Sequence, residues 1–282
     1  MSNPAEDVVT VLAAASFAFG AVVGSFLNVV IWRVPRGESI SSPPSHCPEC
    51  GKRIRWWMNV PVVSWLVLRG RCAWCGKRIS WRYPLVELLG GALFLAAFWR
   101  FGWFAPLAWT WISLMLAGSF IDIDHQLLPD FATVGGMVFG IAVSVAFWAV
   151  GAFTPYHFHN IAAHDFFIGP LESFAGLALG FGLLWLVRFL GSAAFKREAM
   201  GMGDVFLMGA VGAICGPRAV VATLILSALA GSVVGAAMSL AGRTKLGAFK
   251  PIPFGPFICA GCAAWMFAGE ELWGWYVSLL GF

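Results

Sequence analysis

Apolar residues run along this chain in long, nearly unbroken stretches, not in the alternation expected of elements with one wet face. A run of roughly 18 or more apolar residues reads as a membrane span. The pattern predicts helices at about 8–32, 84–99, 104–121, 131–151, 173–191, 204–216, 219–241 and 256–279. The second and sixth of these are short. One sizeable polar stretch, 33–83, separates the first two. The expected fold is therefore an all-α polytopic membrane protein of about eight transmembrane helices with a small insertion between helices 1 and 2. Its parts would be a first transmembrane helix (1–32), a polar segment (33–83) and a membrane domain of about seven helices (84–282).

Composition agrees with the pattern. Of 282 residues, 60% are hydrophobic and 11% charged, against about 25% charged in a soluble domain, too few for a polar surface. The first apolar run follows Glu6 and Asp7, not Lys or Arg, and is too long for a signal-peptide core, so it reads as a retained helix. The net charge of +4 gains meaning from its distribution. Ten of eighteen basic residues lie between Arg33 and Arg82, with only Glu38 and Glu49 against them. Basic residues gather in cytoplasmic loops, which places 33–83 in the cytosol and the N-terminus outside. With the spans alternating from there, Arg188, Lys196, Arg197, Arg243, Lys245 and Lys250 fall on or near the same side, and only Arg100 and Arg218 do not.

Ionisable side chains at membrane depth are costly and mark functional sites. Two acidic clusters qualify: Asp122, Asp124 and Asp130 at the end of the third span, and Asp204 in Gly201-Met202-Gly203-Asp204 before the sixth. The alternating topology brings both to the cytosolic side. Close carboxylates share a proton, so one can act as general base toward water while the other protonates a carbonyl. Asp122, flanked by Ile121 and Ile123, ranks first in its cluster by depth. Pro129-Asp130 looks like a helix start. Gly201 and Gly203 leave room beside Asp204 for an extended backbone, but Gly-x-Gly before a helix capped by Asp204 explains the same residues. On the residues alone both readings stand.

The polar segment holds Cys47-x2-Cys50 and, twenty-one residues on, Cys72-x2-Cys75, each pair followed by Gly-Lys-Arg-Ile. Paired knuckles of this kind read as a structural zinc site, since four thiolates close the tetrahedron. A reducing cytosol disfavours two disulfides, and some fifty residues need such a staple. The insertion is therefore expected to be zinc-ribbon-like, with matched turns. Cys215, Cys259 and Cys262 read as small core residues. The run Arg53-Ile54-Arg55-Trp56-Trp57, with Trp65, Trp74 and Trp81, suits the lipid interface and not nucleic acid. In the loop 152–172, His157, His159, His164, Asp165 and Glu172 read as a solvated polar loop, because their spacing matches no metal motif.

In this order the motifs resemble those of the bacterial type IV prepilin peptidases (leader peptidase and N-methyltransferase) nearly from end to end. They are Gly24-Ser25-Phe26-Leu27-Asn28-Val29-Val30, the two knuckles, Asn59 to Leu66, Arg69-Gly70-Arg71-Cys72, Arg82 to Glu87, the D-x6-P-D of Asp122 to Asp130, the GxGD ending at Asp204, and Pro253 to Phe257. The resemblance implies that Asp122 and Asp204 are a catalytic aspartate pair. It implies cleavage of prepilins or pseudopilins after the glycine of a short basic leader at the cytosolic face of the inner membrane. Methylation of the new N-terminus with S-adenosylmethionine as donor would follow. Met58 departs from the pattern, where a polar or acidic residue is expected. Two other readings are a peptidase-only GxGD protease, against which the knuckles argue, and a transporter using the carboxylates as an ion or proton site. Nothing resembles inverted repeats, and the acids lie at one face, not the midplane.

Overall fold

The computed structural model describes residues 4–153, 168–198, 200–241 and 252–279. His157, His159, His164 and Asp165 lie outside the described residues, as do Arg243, Lys245 and Lys250. The described secondary structure is helical, with two isolated β-bridges and no strand. The chain divides into two compact units, Met1–Ile121 and Asp122–Phe282.

The first unit contains α1 (Pro4–Arg33), a short helix α2 (Val63–Val67), α3 (Arg82–Phe101) and most of α4 (Ala105–His125). Helices α1 and α3 pack along small residues. A methyl on Gly24 would stand 2.8 Å from the Cα of Glu87, and one on Gly91 would stand 2.9 Å from the Phe17 ring. Within lipid no hydrophobic force drives helices together, so this close backbone approach supplies the attraction. At the C-terminal end of α1 the buried Arg33 donates to the carbonyls of Ser39 (2.8 Å) and Pro43 (2.7 Å), which fixes the chain's exit into the polar segment. Helix α3 begins Arg82-Tyr83-Pro84, with proline in the first turn where no helical N–H is needed. It stops at Gly102, whose φ of 55° ends the spiral. A single 3-10 turn, Gly102–Phe104, leads on to α4. Trp109 stacks on Phe94 at 5.1 Å between ring centroids and donates to the Phe94 carbonyl at 2.9 Å.

The second unit is built from α5 (Val134–Phe153), α6 (Pro170–Phe195), α7 (Met202–Leu240) and α8 (Gly255–Leu279). The start of α7 is its centre. Residues 207–216 of α7 are all buried, so this stretch is apolar all round and not amphipathic. The helix breaks at Gly216 (φ 82°), followed by Pro217, which removes a helical donor. Opposite it, Gly176 of α6 meets the backbone of Gly212, and the buried Ser173 hydroxyl donates to the Ala213 carbonyl at 2.6 Å.

Among the described residues, five helices are long and apolar enough to cross a membrane: Glu6–Arg36, Arg82–His125, Val134–Gly151, Pro170–Ala194 and Met202–Leu240; Gly255–Gly269 is a shorter apolar helix. Two of the five each join a pair of the apolar segments that the sequence separates. The second and third run together through Gly102–Phe104, and the sixth and seventh through Gly216. The expected all-helical architecture with an insertion between the first two spans is present, while eight describes apolar segments and not established crossings.

The tightest seam yields a stability test. Gly212→Ala drives a methyl into the Gly176 backbone, and should cost about 1–3 kcal/mol by overpacking. The expected readout is a lower thermal-unfolding midpoint in detergent. Gly182→Ala, whose added carbon meets nothing within 4 Å, should leave the midpoint unchanged or raised.

Candidate active site and cysteine cluster

Of the three acids in the first cluster, Asp122 alone is buried (5% exposed), whereas Asp124 and Asp130 are open. Helix α4 ends just beyond Asp122 and Asp124, where Gln126 takes a φ of 53° and donates its N–H to the Asp122 carbonyl. The Asp122 carboxylate is held from 133 positions away: Gly255 donates its backbone N–H to Oδ2 at 3.1 Å. Gly255 opens α8, so this N–H is one of those a helix leaves unpaired at its start and presents to an anion. A side chain there would collide, since a methyl on Gly255 would stand 2.7 Å from Asp122 Oδ2.

Asp204 lies in the first turn of α7 and is 8% exposed. Gly201, not Asp204, occupies the capping position, in extended conformation, so the capping explanation of Asp204 falls away. Leu128 brings the two acids into one place. Its side chain stands 2.9 Å from where a methyl on Gly203 would be and 3.2 Å from where one on Gly255 would be. The residue before Asp204 and the residue holding Asp122 thus press on the same leucine.

Three contributors were not assigned a role from sequence. The Gly255 N–H sits in a quoted motif, but a backbone donor leaves no side-chain signature. Leu128 looks like any apolar residue. Arg188, read only as a topology marker, clamps the chain on both sides of Gly201: Nε donates to the Met200 carbonyl at 2.9 Å, Nη1 to the Met202 sulfur at 3.2 Å, and Nη2 pairs with Glu198 at 3.0 Å.

In the first unit the cysteine pairs form two copies of one turn. In the first, Gly51 donates to the Cys47 carbonyl, Cys47 to Lys52 and Ile54 to Ser45; in the second, Gly76 donates to Cys72, Cys72 to Lys77 and Ile79 to Gly70. Gly51 and Gly76 have φ of 68° and 69°, a left-handed position that glycine takes freely. All four cysteines are free, and their sulfurs lie within 4.8 Å of one another, with Cys47 and Cys75 at 3.9 Å. Zinc–sulfur bonds of about 2.3 Å in a tetrahedron require sulfurs about 3.8 Å apart, so the cluster fits a metal. Backbone N–H groups of Cys75 and Trp74 hold the Cys72 thiol down at about 7. The Lys77 N–H pulls Cys75 the same way, but desolvation and the other three sulfurs outweigh it and push that thiol up to about 11. Four sulfurs this close cannot all ionise without a cation among them.

The fold and the two sites define a polytopic helical membrane protein with a buried carboxylate pair in one unit and a metal-fitting cysteine cluster in the other. Residues 18–101 match the bacterial peptidase A24 N-terminal domain, and residues 109–236 match the type IV leader peptidase family. The chain is 33% identical to a prepilin leader peptidase/N-methyltransferase of Xanthomonas campestris over 95% of both chains, and 34% identical to one of Pseudomonas aeruginosa over 93% of this chain and 92% of that one. It is 42% identical to one of Myxococcus xanthus over 80% of this chain, a match that spans 62% of that relative's length. The chain belongs to the type IV leader peptidase family. With its apolar helices, it is a multi-pass inner-membrane protein. No solved structure gives a significant match.

Arg188→Ala should release the segment that leads into Asp204. Losing hydrogen bonds from a charged donor speeds amide exchange across residues 200–204 by about tenfold, measured by hydrogen–deuterium exchange and mass spectrometry. Arg188→Lys, which cannot span both Met200 and Met202, should restore only part of the protection.

Proposed function

We propose that the chain is an aspartic endopeptidase that removes the short basic leader from type IV prepilins or pseudopilins, with Asp122 and Asp204 as its catalytic pair. The observation that carries this reading is that two buried carboxylates, at the end of α4 and in the first turn of α7, are flanked by residues that press on the same leucine, Leu128. Of the pair, the ionised carboxylate takes a proton from water as its oxygen attacks the scissile carbonyl, and the protonated one donates to the carbonyl oxygen. Collapse of the tetrahedral intermediate passes a proton to the departing amine. Gly201 leaves space beside Asp204 for an extended substrate, whereas the space beside Gly203 is taken by Leu128. The basic residues of 33–83 support a cytosolic position for that segment and for the acids, with the N-terminus outside.

The same reading includes a second activity, methylation of the new N-terminus with S-adenosylmethionine as methyl donor. We assign it to the first unit, because the match named for leader peptidase covers 109–236, and the polar segment is where a soluble donor can reach a membrane-held substrate. Zinc held by Cys47, Cys50, Cys72 and Cys75 would supply a closed structural staple for that segment.

Asp122→Asn and Asp204→Asn should each slow prepilin cleavage on the order of a thousandfold or more, with the protein still inserted, while Asp124→Asn and Asp130→Asn stay close to wild type. Mass spectrometry of the products measures this, and substantial cleavage by either of the first two sinks the pair. Gly255→Ala should cost roughly a hundredfold through displacement of the Asp122 carboxylate. Methylation of a pilin supplied already cleaved should survive Asp122→Asn; its loss in a folded variant means that both activities use Asp122.

Elemental analysis should find one zinc per chain. Cys47→Ser should lower that content, and limited proteolysis should then cut within residues 45–80. Cleavage of prepilin should persist in part, whereas methylation should be lost. Purified protein without zinc would refute the assignment.

A further inference from the structure

A third buried carboxylate, Glu87 of α3, takes no part in this chemistry. It is 8% exposed, and among the described residues no Lys or Arg pairs with it. A buried carboxylate without a counter-ion is costly, so its partners, the Val62 backbone and the Ser25 side chain of α1, are informative. Oε2 accepts the backbone N–H of Val62 at 2.7 Å. Val62 has φ 61° and ψ −51°, and Val63 donates to the Pro61 carbonyl at 2.6 Å. Pro61-Val62-Val63 is therefore a γ-turn of the rare positive-φ kind, centred on a β-branched residue that resists it. Strain of this sort persists only where the surroundings impose it, and it clusters where geometry matters.

From this turn a continuous path leads to the cysteines. Val62 heads α2, and Trp65 within α2 donates Nε1 to the Ile79 carbonyl at 3.2 Å. Gly70 donates to the Trp65 carbonyl at 2.8 Å, and Ile79 to Gly70 at 2.7 Å, closing the turn that bears Cys72 and Cys75. On the membrane side, Gly24 admits α1 against the Glu87 backbone, and Asn28 donates to the Tyr83 carbonyl at 3.1 Å. Three motifs with no part in hydrolysis (Gly24 to Asn28, Asn59 to Leu66 and Arg82 to Glu87) thus meet around one carboxylate.

We propose that Glu87 is a positioning residue for methyl transfer: by holding the strained turn at Val62 it sets where the cysteine segment stands on α1 and α3. The proposal rests on the reading that the first unit serves methylation. The test uses full-length protein in lipid nanodiscs, with labelled S-adenosylmethionine and a pre-cleaved pilin for methylation and an uncleaved prepilin for hydrolysis. Glu87→Ala should lower methylation about tenfold or more, the effect of removing a buried charged acceptor. Prepilin cleavage should stay near wild type, zinc content should be unchanged, and amide exchange across 60–67 should quicken. Glu87→Gln, whose amide oxygen still accepts the Val62 N–H, should recover much of the loss. Glu87→Ala combined with Val62→Gly should also recover, because glycine takes the turn's φ without a carboxylate to enforce it. That suppression separates positioning from a general fault in folding. Wild-type methylation by Glu87→Ala, beside a Cys47→Ser variant that has lost it, overturns the proposal and leaves the wider reading standing. So does a double variant no better than Glu87→Ala alone. If Cys47→Ser methylates normally, the wider reading fails, and the role of Glu87 in methyl transfer fails with it.

Discussion

A carboxylate inside an apolar helical protein has to be answered by something polar, and for Asp122 and Glu87 the answer includes a backbone N–H. Asp122 receives one from Gly255, and Glu87 receives one from Val62. A lysine or arginine in either place would neutralise the charge and fix it; a peptide dipole steadies the carboxylate and leaves it free to exchange a proton. Each contact also ties distant stretches of chain, 133 positions apart in one case and 25 in the other. The local geometry follows from them. Gly255 must be glycine because the acid stands where its Cβ would be, and Val62 must take a positive φ to aim its N–H at Glu87.

Close approach of backbones is the condition under which such contacts form. A peptide N–H can reach a buried carboxylate only if its helix stands nearer than ordinary side chains allow. Gly24 against Glu87, Gly203 against Leu128 and Gly212 against Gly176 provide that nearness. Lipid offers little hydrophobic drive for helix association, so close packing of small residues has to provide it. The glycines that hold the bundle together are the ones that let its acids find partners.

Much of this was legible in the sequence, for physical reasons. Apolar runs mark helices because lipid leaves backbone polar groups no other partner. Burial singles out Asp122 from Asp124 and Asp130, as its isoleucine neighbours suggested. The repeat of Gly-Lys-Arg-Ile after each cysteine pair announced two equal turns, and their hydrogen bonds match one for one. What the sequence hid was whatever depends on backbone donors or on the joining of segments. The Gly255 N–H and the γ-turn at Val62 have no side-chain signature. The break at Gly216-Pro217 was visible, but not that a kink alone, with no intervening loop, separates the two halves. Arg188 carried a charge that explained its side of the membrane so well that its hydrogen bonds to Met200 and Met202 had no trace in the pattern.

The division of the chain into two units has a chemical logic. Hydrolysis needs two acids within reach of one water molecule, and the second unit holds both acids proposed for it, along with the N–H that holds one and the leucine pressed between their supports. Methyl transfer needs an exposed amine and a soluble donor, and it begins only after the peptide bond has been cut. Its machinery therefore has no reason to share the aspartates, and some reason to keep away from them, because a bound donor would compete with the incoming strand. The first unit joins a cysteine-held polar segment to a helix pair through buried Glu87 and, at the end of α1, buried Arg33. That arrangement ties the polar segment to α1 and α3 without drawing on Asp122 or Asp204.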